Sequence, residues 1–487
     1  MKELFKKYEN PPVEFSAYGY HSMSSGKFQV DGKIFDVGQD FRTVDRFKEY
    51  KDAGFTIFFM QNLTYRGEPF AQSELKKMMD GVLEAGIDKI IVFDYRLAKL
   101  ACRDESLIGE ASKEKKQVHF TDDREVASYI PTLKFSSEED LEKYVRECME
   151  GYITHPAFYG LLINDEPSYK RFKALGEIKR AIERVKKDVY VHINLLPMLE
   201  GPVALYAEEY ENLEDAYTKY LTAFTDEVGL DYIQYDDYPM LETAGKSELG
   251  IYHLSGLQLT AEYCKKRNLK FYFVAQATSM KNRDRRVFRV LDEKDMLWQI
   301  GHILGFGIKR LAYFTYWRKA ENVTGGEYFP DGTAMISQNG ERTPVYYAVK
   351  KLHEELQEFS DVLMSFNYEK SGYTMRSVAG KIFEYVTHME NQSLDGVKIV
   401  EQSKNSLFLF TQMGNGNEKL YCLQNVEDPA RSEVADKKTV KLRFENVSLV
   451  YIFGFNAKRE TVKGNTLELT LSAGETVYIL PKKEERV

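Results

Sequence analysis

Eight times in succession, a short run of apolar, β-branched and aromatic residues gives way to a longer run with helical spacing. The strand-like runs are VEFSAYGYHSM (13–23), FTIFFMQN (55–62), KIIVFDYRL (89–97), FYGLLINDEP (158–167), VYVHINLLP (189–197), DYIQYDDYP (231–239), KFYFVAQATS (270–279) and RLAYFTYW (310–317). Helical patterns follow near 43–53, 73–85, 137–152, 172–187, 213–228, 255–267, 294–304 and 345–356. Strands that are apolar on both faces belong in a parallel sheet covered by helices. Eight such units are what a (β/α)8 TIM barrel requires. A doubly wound sheet is the alternative with the same alternation.

After about residue 366 the period changes from helical to two. Runs such as SLFLFTQM, KLYCLQNV, TVKLRFENV and LVYIFGF are separated by Gly, Asn and Asp, and helical patterns vanish. This predicts a C-terminal antiparallel β-sandwich domain. The expected division is therefore a catalytic barrel over 1–366 and a sandwich over 367–487. That agrees with the 487-residue length, which is too much chain for one ordinary core.

Composition excludes several classes. Sixty-seven Lys+Arg against 75 Asp+Glu leave a formal charge of −8, whereas a nucleic-acid partner calls for a basic face. Mean hydropathy is −0.45 and no apolar run reaches 18 residues, so no membrane span is expected. The start, MKELFKKYENPPVEF, lacks the apolar stretch of a secretory signal. Cys102, Cys148, Cys264 and Cys422 are scattered, which favours free thiols and a cytoplasmic location. Homo-oligomerisation is left open.

Chemistry on such barrels gathers at the carboxyl ends of the strands. Those ends carry Tyr20 and His21; Gln61 and Asn62; Asp94; Asn164, Asp165 and Glu166; His192 and Asn194; Gln234, Asp236 and Asp237; Gln276; and Tyr316 and Trp317. Polar strand ends are common near solvent, but amides, carboxylates and aromatics on most strands point to a site. Strand alternation puts Asn164 and Glu166 on one face, and Gln234 and Asp236 on one face. Asp165 and Asp237 then support, or reach the site only where a strand bends. Pro167 and Pro239 follow the two acidic pairs and are expected to hold extended backbone before each turn.

Two carboxylates facing each other over a cleft suit glycoside hydrolysis. One stays protonated to serve the leaving oxygen, and the other stays ionised to attack carbon or activate water. Glu166 is the expected acid and Asp236 the expected counter-charge. His21 and His192 lack the spacing of a metal motif, so hydroxyl contacts or core hydrogen bonds are expected there, and no metal or cofactor is expected.

With these residues in place, the chain resembles the superfamily of (β/α)8 glycoside hydrolases that includes the β-galactosidases, with a C-terminal β-sandwich. GLLINDEPS is similar to the strand-four motif in which Asn precedes the acid/base Glu, implying Asn164 and Glu166. FTYW is similar to the aromatic floor under the sugar, implying Trp317, with Tyr316 beside it. The stretch MISQNGERTPVYYAVKKLHEEL and the later LELTLSAGETVYILP resemble the barrel-to-sandwich junction and last strands. Two departures stand out. Asp165 separates Asn164 from Glu166, and Gln276 occupies the strand-seven position where the family has its nucleophilic Glu.

A neutral amide cannot attack an anomeric carbon, so Asp236 is assigned as nucleophile or as base for water. Asn164, Asp165, His192, Asn194, Gln234, Asp237, Gln276, Tyr316, Trp317, Asp94 and His21 form the expected carbohydrate contacts. QYDDY is also loosely similar to the strand-six motif of chitinase-like enzymes, which leaves a substrate-assisted N-acetylhexosaminidase as an alternative. Gln276 motivates a further one, a carbohydrate-binding barrel without activity. A metal-dependent hydrolase or a sugar isomerase is the remaining barrel alternative. The long insert 96–134 reads as a lid, a subsite wall or a surface excursion, and Gly305-Phe306-Gly307 as a helix end.

Overall fold

A computed structural model describes residues 5, 7–8, 10–19, 26–30, 33–37, 41–109, 133–243, 245–281, 287–318, 329, 332–376, 386, 388–430 and 437–482. Eight strands carry the barrel: β1 (Glu14–Ala17), β2 (Ile57–Tyr65), β3 (Ile90–Asp94), β4 (Phe158–Asp165), β5 (Tyr190–Asn194), β6 (Tyr232–Asp237), β7 (Lys270–Gln276) and β8 (Arg310–Phe314). Their hydrogen-bonded order is β5-β4-β3-β2-β1-β8-β7-β6. The two ends of that order meet where Leu195 N donates to Gln234 O at 2.8 Å and Leu195 bridges Tyr235 in parallel. A sheet with its edges joined is a barrel, so the doubly wound alternative is excluded.

The helices fall where the apolar spacing places them: α1 (Val44–Asp52), α2 (Glu74–Glu84), α3 (Tyr95–Leu100), α4 (Glu138–Met149), α5 (Phe172–Val185), α6 (Leu213–Val228), α7 (His253–Arg267), α8 (Glu293–Gly305), α9 (Pro344–Gln357) and α10 (Ser360–Ser365). Ser73, Ser137, Asn212 and Asp292 cap α2, α4, α6 and α8 by accepting from early backbone amides. The third strand is shorter than its apolar run. Asp94 Oδ1 accepts from Arg96 N at 2.9 Å, so the capping carboxylate starts α3 where an extended run to Leu97 is expected. The Gly305–Gly307 segment ends α8, with Gly307 at φ +80°.

The C-terminal region forms two antiparallel sheets. With β9 (Asn367–Arg376), β10 (Val397–Gln402), β11 (Ser406–Asn415), β12 (Glu418–Asn425), β13 (Lys438–Phe444), β14 (Leu449–Gly454), β15 (Arg459–Lys463), β16 (Thr466–Leu471) and β17 (Thr476–Lys482), the orders are β9-β11-β12-β17-β14-β15 and β10-β13-β16. Phe410, Leu423, Val450 and Ile479 of the larger sheet bury against Val440, Leu442, Leu467 and Leu469 of the smaller one. That buried apolar layer between two sheets is a β-sandwich core.

Two compact units divide the chain: Ser16–Gly26 with Val37–Asp236, and Met1–Phe15, Lys27–Asp36 with Asp237–Val487. Within the second, α8 lies flush on the larger sandwich sheet. A Cβ added at Gly301 would stand 2.0 Å from Thr476 Oγ1, and one at Gly305 2.6 Å from Thr411 Oγ1, so only glycine allows this approach. Among the described residues, no helix is long and apolar enough to cross a membrane. His21, Tyr20 and residues 110–132 of the long insert lie outside the described residues, as do the side chains of Gln61 and Asn62.

Candidate active site

The pairing of β4 with β5 slips once. Leu162 pairs with His192, Asn164 with Ile193 and Asp165 with Asn194, so Ile163 is an extra residue on β4. Such a bulge bends its strand and breaks the simple alternation of faces. Asn164 Nδ2 consequently donates to Ala101 O at 3.2 Å, while Asp165 Oδ1 accepts from Asn194 Nδ2 at 3.1 Å. Asp236 Oδ1, at the end of β6, accepts from that same nitrogen at 2.6 Å. The bend therefore brings Asp165 to the strand-six acid.

Glu166 follows at φ +48°, which corrects the expectation of extended backbone before Pro167. Its amide donates to Asn194 O at 2.8 Å, and the tight turn this pins is what the left-handed residue supplies. The phenol of Tyr220 on α6 donates to Pro167 O at 2.5 Å and accepts from Leu196 N at 3.4 Å. Burial holds that phenol well above its usual range, and the charges of Glu166 and Asp236 both add to the effect. One buried hydroxyl thus lies in the field of both expected catalytic acids. Tyr220 carries no catalytic motif; its only sequence trace is the helical spacing of Tyr217 and Tyr220.

The remaining polar groups on β4, β5 and β6 are held from inside the barrel. His192 Nε2 meets the Tyr18 hydroxyl at 2.5 Å and the Gln234 amide nitrogen at 3.2 Å, and Nδ1 meets Tyr190 Oη at 3.2 Å. Two amide oxygens stand apart. Asn164 Oδ1 and Asn194 Oδ1 are buried with no hydrogen-bond partner among the described residues. Each belongs to a residue at most 3% exposed.

Asp94 is spoken for by its neighbours. It takes Arg96 N and Nε on Oδ1, and Arg96 Nη2 at 2.7 Å with Tyr152 Oη at 3.0 Å on Oδ2. Burial raises its carboxyl above the ordinary range, against the pull of Arg96. This is a bidentate structural pair at the end of β3.

The other strand ends lie in the second unit. Gln276 Oε1 accepts from Met240 N at 2.9 Å, and its Nε2 donates to Met240 O and Thr278 O at 3.3 Å each. The amide at the nucleophile position of the resembling family is therefore a backbone staple here. Tyr316 and Trp317 are buried, and their backbones flank the bridge to Ile336. Asp237 Oδ2 meets His253 Nδ1 at 2.6 Å. Among the described residues, no group of three or more His, Cys, Asp or Glu is placed to hold a metal ion.

Residues 179–359 match the glycoside hydrolase family 42 model, described as beta-galactosidase. This stretch runs from within α5 to just beyond α9, so it includes Asn194, Asp236 and Gln276 but not Glu166. No curated protein matches the chain. Among solved structures, an α-amylase from Geobacillus thermoleovorans is similar at 10% identity and TM-score 0.48, over 97% of this chain and 99% of that one. A β-L-arabinopyranosidase from Geobacillus stearothermophilus is similar at 10% identity and TM-score 0.46, over 100% and 99%. Xylanase 10B from Thermotoga maritima is similar at 13% identity and TM-score 0.40, over 73% and 98%.

Proposed function

We propose that the protein is a glycoside hydrolase acting on a glycoside or oligosaccharide, with Glu166 as general acid/base and Asp236 as nucleophile or as base for water. The observation that carries this reading is that Asp165 and Asp236 accept from one Asn194 amide nitrogen, while Asn194 O accepts from the backbone amide of Glu166. The match of residues 179–359 to a glycosidase family model supports it independently. Glu166 protonates the leaving oxygen, and Asp236, held by a charge-assisted hydrogen bond, stays ionised. The open acceptors Asn164 Oδ1 and Asn194 Oδ1 take sugar hydroxyls. The chain divides at residue 366 into the catalytic barrel and a bracing sandwich. Its four cysteines are buried free thiols, which suits a cytoplasmic location.

Asp165 beside Asp236 also favours a second reading, substrate assistance, in which this acid pair orients the acetamido group of an N-acetylhexosamine. A panel of nitrophenyl glycosides and N-acetylhexosaminides tests both. In Glu166→Gln, turnover of substrates with poor leaving groups falls by about 10²–10⁴-fold, and activated aryl glycosides suffer much less. Equal losses on both would remove Glu166 as proton donor. Binding without turnover of any sugar would favour an inactive carbohydrate-binding barrel, and turnover abolished by chelation a metal-dependent enzyme.

A further inference from the structure

A buried chain of hydrogen bonds runs from the end of β6 into the sandwich. Asp237 Oδ2 meets His253 Nδ1 at 2.6 Å, His253 Nε2 meets His302 Nε2 at 2.8 Å, and His302 Nδ1 meets Gln424 Oε1 at 2.9 Å. Gln424 Nε2 donates to Trp298 O at 2.8 Å and Gly474 O at 3.2 Å, which orients its amide. His253, His302 and Gln424 are all at most 2% exposed.

The protons can be placed from the acceptor end. Gln424 Oε1 can only accept, so His302 Nδ1 carries a hydrogen. Burial, and then the neighbouring His253, hold His302 well below the usual imidazole range, so its Nε2 is bare. His253 Nε2 must then donate to it, because two lone pairs would otherwise face each other. That leaves one further proton for the 2.6 Å contact between His253 Nδ1 and Asp237. Asp237 and His302 are the titratable groups facing His253, while Trp298 and Phe273 offer it ring surfaces. The N-terminus of α7, where His253 is the first residue, favours a negative Asp237. The same terminus disfavours the imidazolium, but a carboxylate at 2.6 Å outweighs a partial charge.

We propose that His253 is a positioning residue for the strand-six acids: it carries the proton that neutralises Asp237, which leaves Asp236 as the net negative charge of that pair. Gln424, acting through His302, keeps this proton on the Asp237 side, so a sandwich side chain sets the charge state of a barrel strand. The inference rests on the functional reading above only in making Asp236 the working carboxylate.

The test follows the carboxyl-carbon resonance of Asp236 in the full-length protein through a pH titration. In His253→Gln, which keeps a donor but not the charge, the Asp236 midpoint rises by about one pH unit through like-charge repulsion. The double variant with Asp237→Asn returns it to the wild-type position. If a glycoside is turned over, the acid limb of kcat/KM moves and returns in parallel. Ring-nitrogen resonances of the wild type show His253 protonated on both nitrogens and His302 on Nδ1 alone. An Asp236 midpoint that stays put in folded His253→Gln, or is not restored in the double variant, overturns the proposal. So does a singly protonated His253 at neutral pH. These resonances need no substrate, so loss of the glycosidase reading would leave this test intact.

Discussion

The carboxylates of Asp165 and Asp236, from two different barrel strands, hydrogen-bond to one and the same nitrogen, Nδ2 of Asn194, at 3.1 and 2.6 Å. Their oxygens are therefore no farther apart than those two distances laid end to end. A donor lying between two carboxylates at such range eases their mutual repulsion. In Asn194→Ala this donor is lost, and the repulsion favours protonation of one of the acids. The expected outcome is a loss of about 10²–10³-fold in kcat/KM with the acid limb of the pH profile moved upward. Steady-state kinetics between pH 4 and about 8 would read both effects.

Gln276 offers a sharper separation of stability from chemistry. Its amide donates to two carbonyls and accepts one backbone N–H, and a carboxylate can only accept. Gln276→Glu restores the residue type of the resembling family, yet it sets a charge against Met240 O and Thr278 O. We expect a destabilisation of about 2–3 kcal/mol in urea unfolding and no gain in turnover. A rise in activity would show that the staple is dispensable.

Tyr220 joins α6 to the turn after Glu166 through Pro167 O. Tyr220→Phe keeps the ring in place and deletes the hydroxyl, leaving Pro167 O and Leu196 N without this partner. A loss of about 1–2 kcal/mol in stability is expected. Because the turn sets where Glu166 stands, kcat should fall further on poor leaving groups than on activated ones. Comparing the two substrate types checks it.

Lys309 predicts an alkaline signature. Its ammonium donates to Met364 O at 3.0 Å and Phe366 O at 2.5 Å, and burial lowers it to about 8. Between that value and the unfolded one near 10.4, the unfolded chain binds the proton that the folded chain has released. Stability from this group therefore rises with pH across that window, by up to about 3 kcal/mol, and is flat outside it. Unfolding at successive pH values should show the rise in the wild type and lose it in Lys309→Met.

Much of the architecture was legible in the order of residues. The periods of 3.6 and two are local properties, so eight strands, their helices and the later sandwich could be read from spacing alone. Glu166 and Asp236 stood out for the same reason, as acids closing apolar strands. The face that Asp165 presents did not, because the extra residue at Ile163 depends on how β4 pairs with β5. Nor did the left-handed backbone of Glu166, which answers to a hydrogen bond with Asn194. Tyr220 and the His253–His302–Gln424 chain lie 54 to 258 residues beyond Glu166 and look like ordinary core residues in the sequence. Patterning along the chain determined which elements form and which residues end them. Hydrogen bonds between strands distant in sequence decided which acids meet, because a one-residue slip in pairing turns a side chain to the other face.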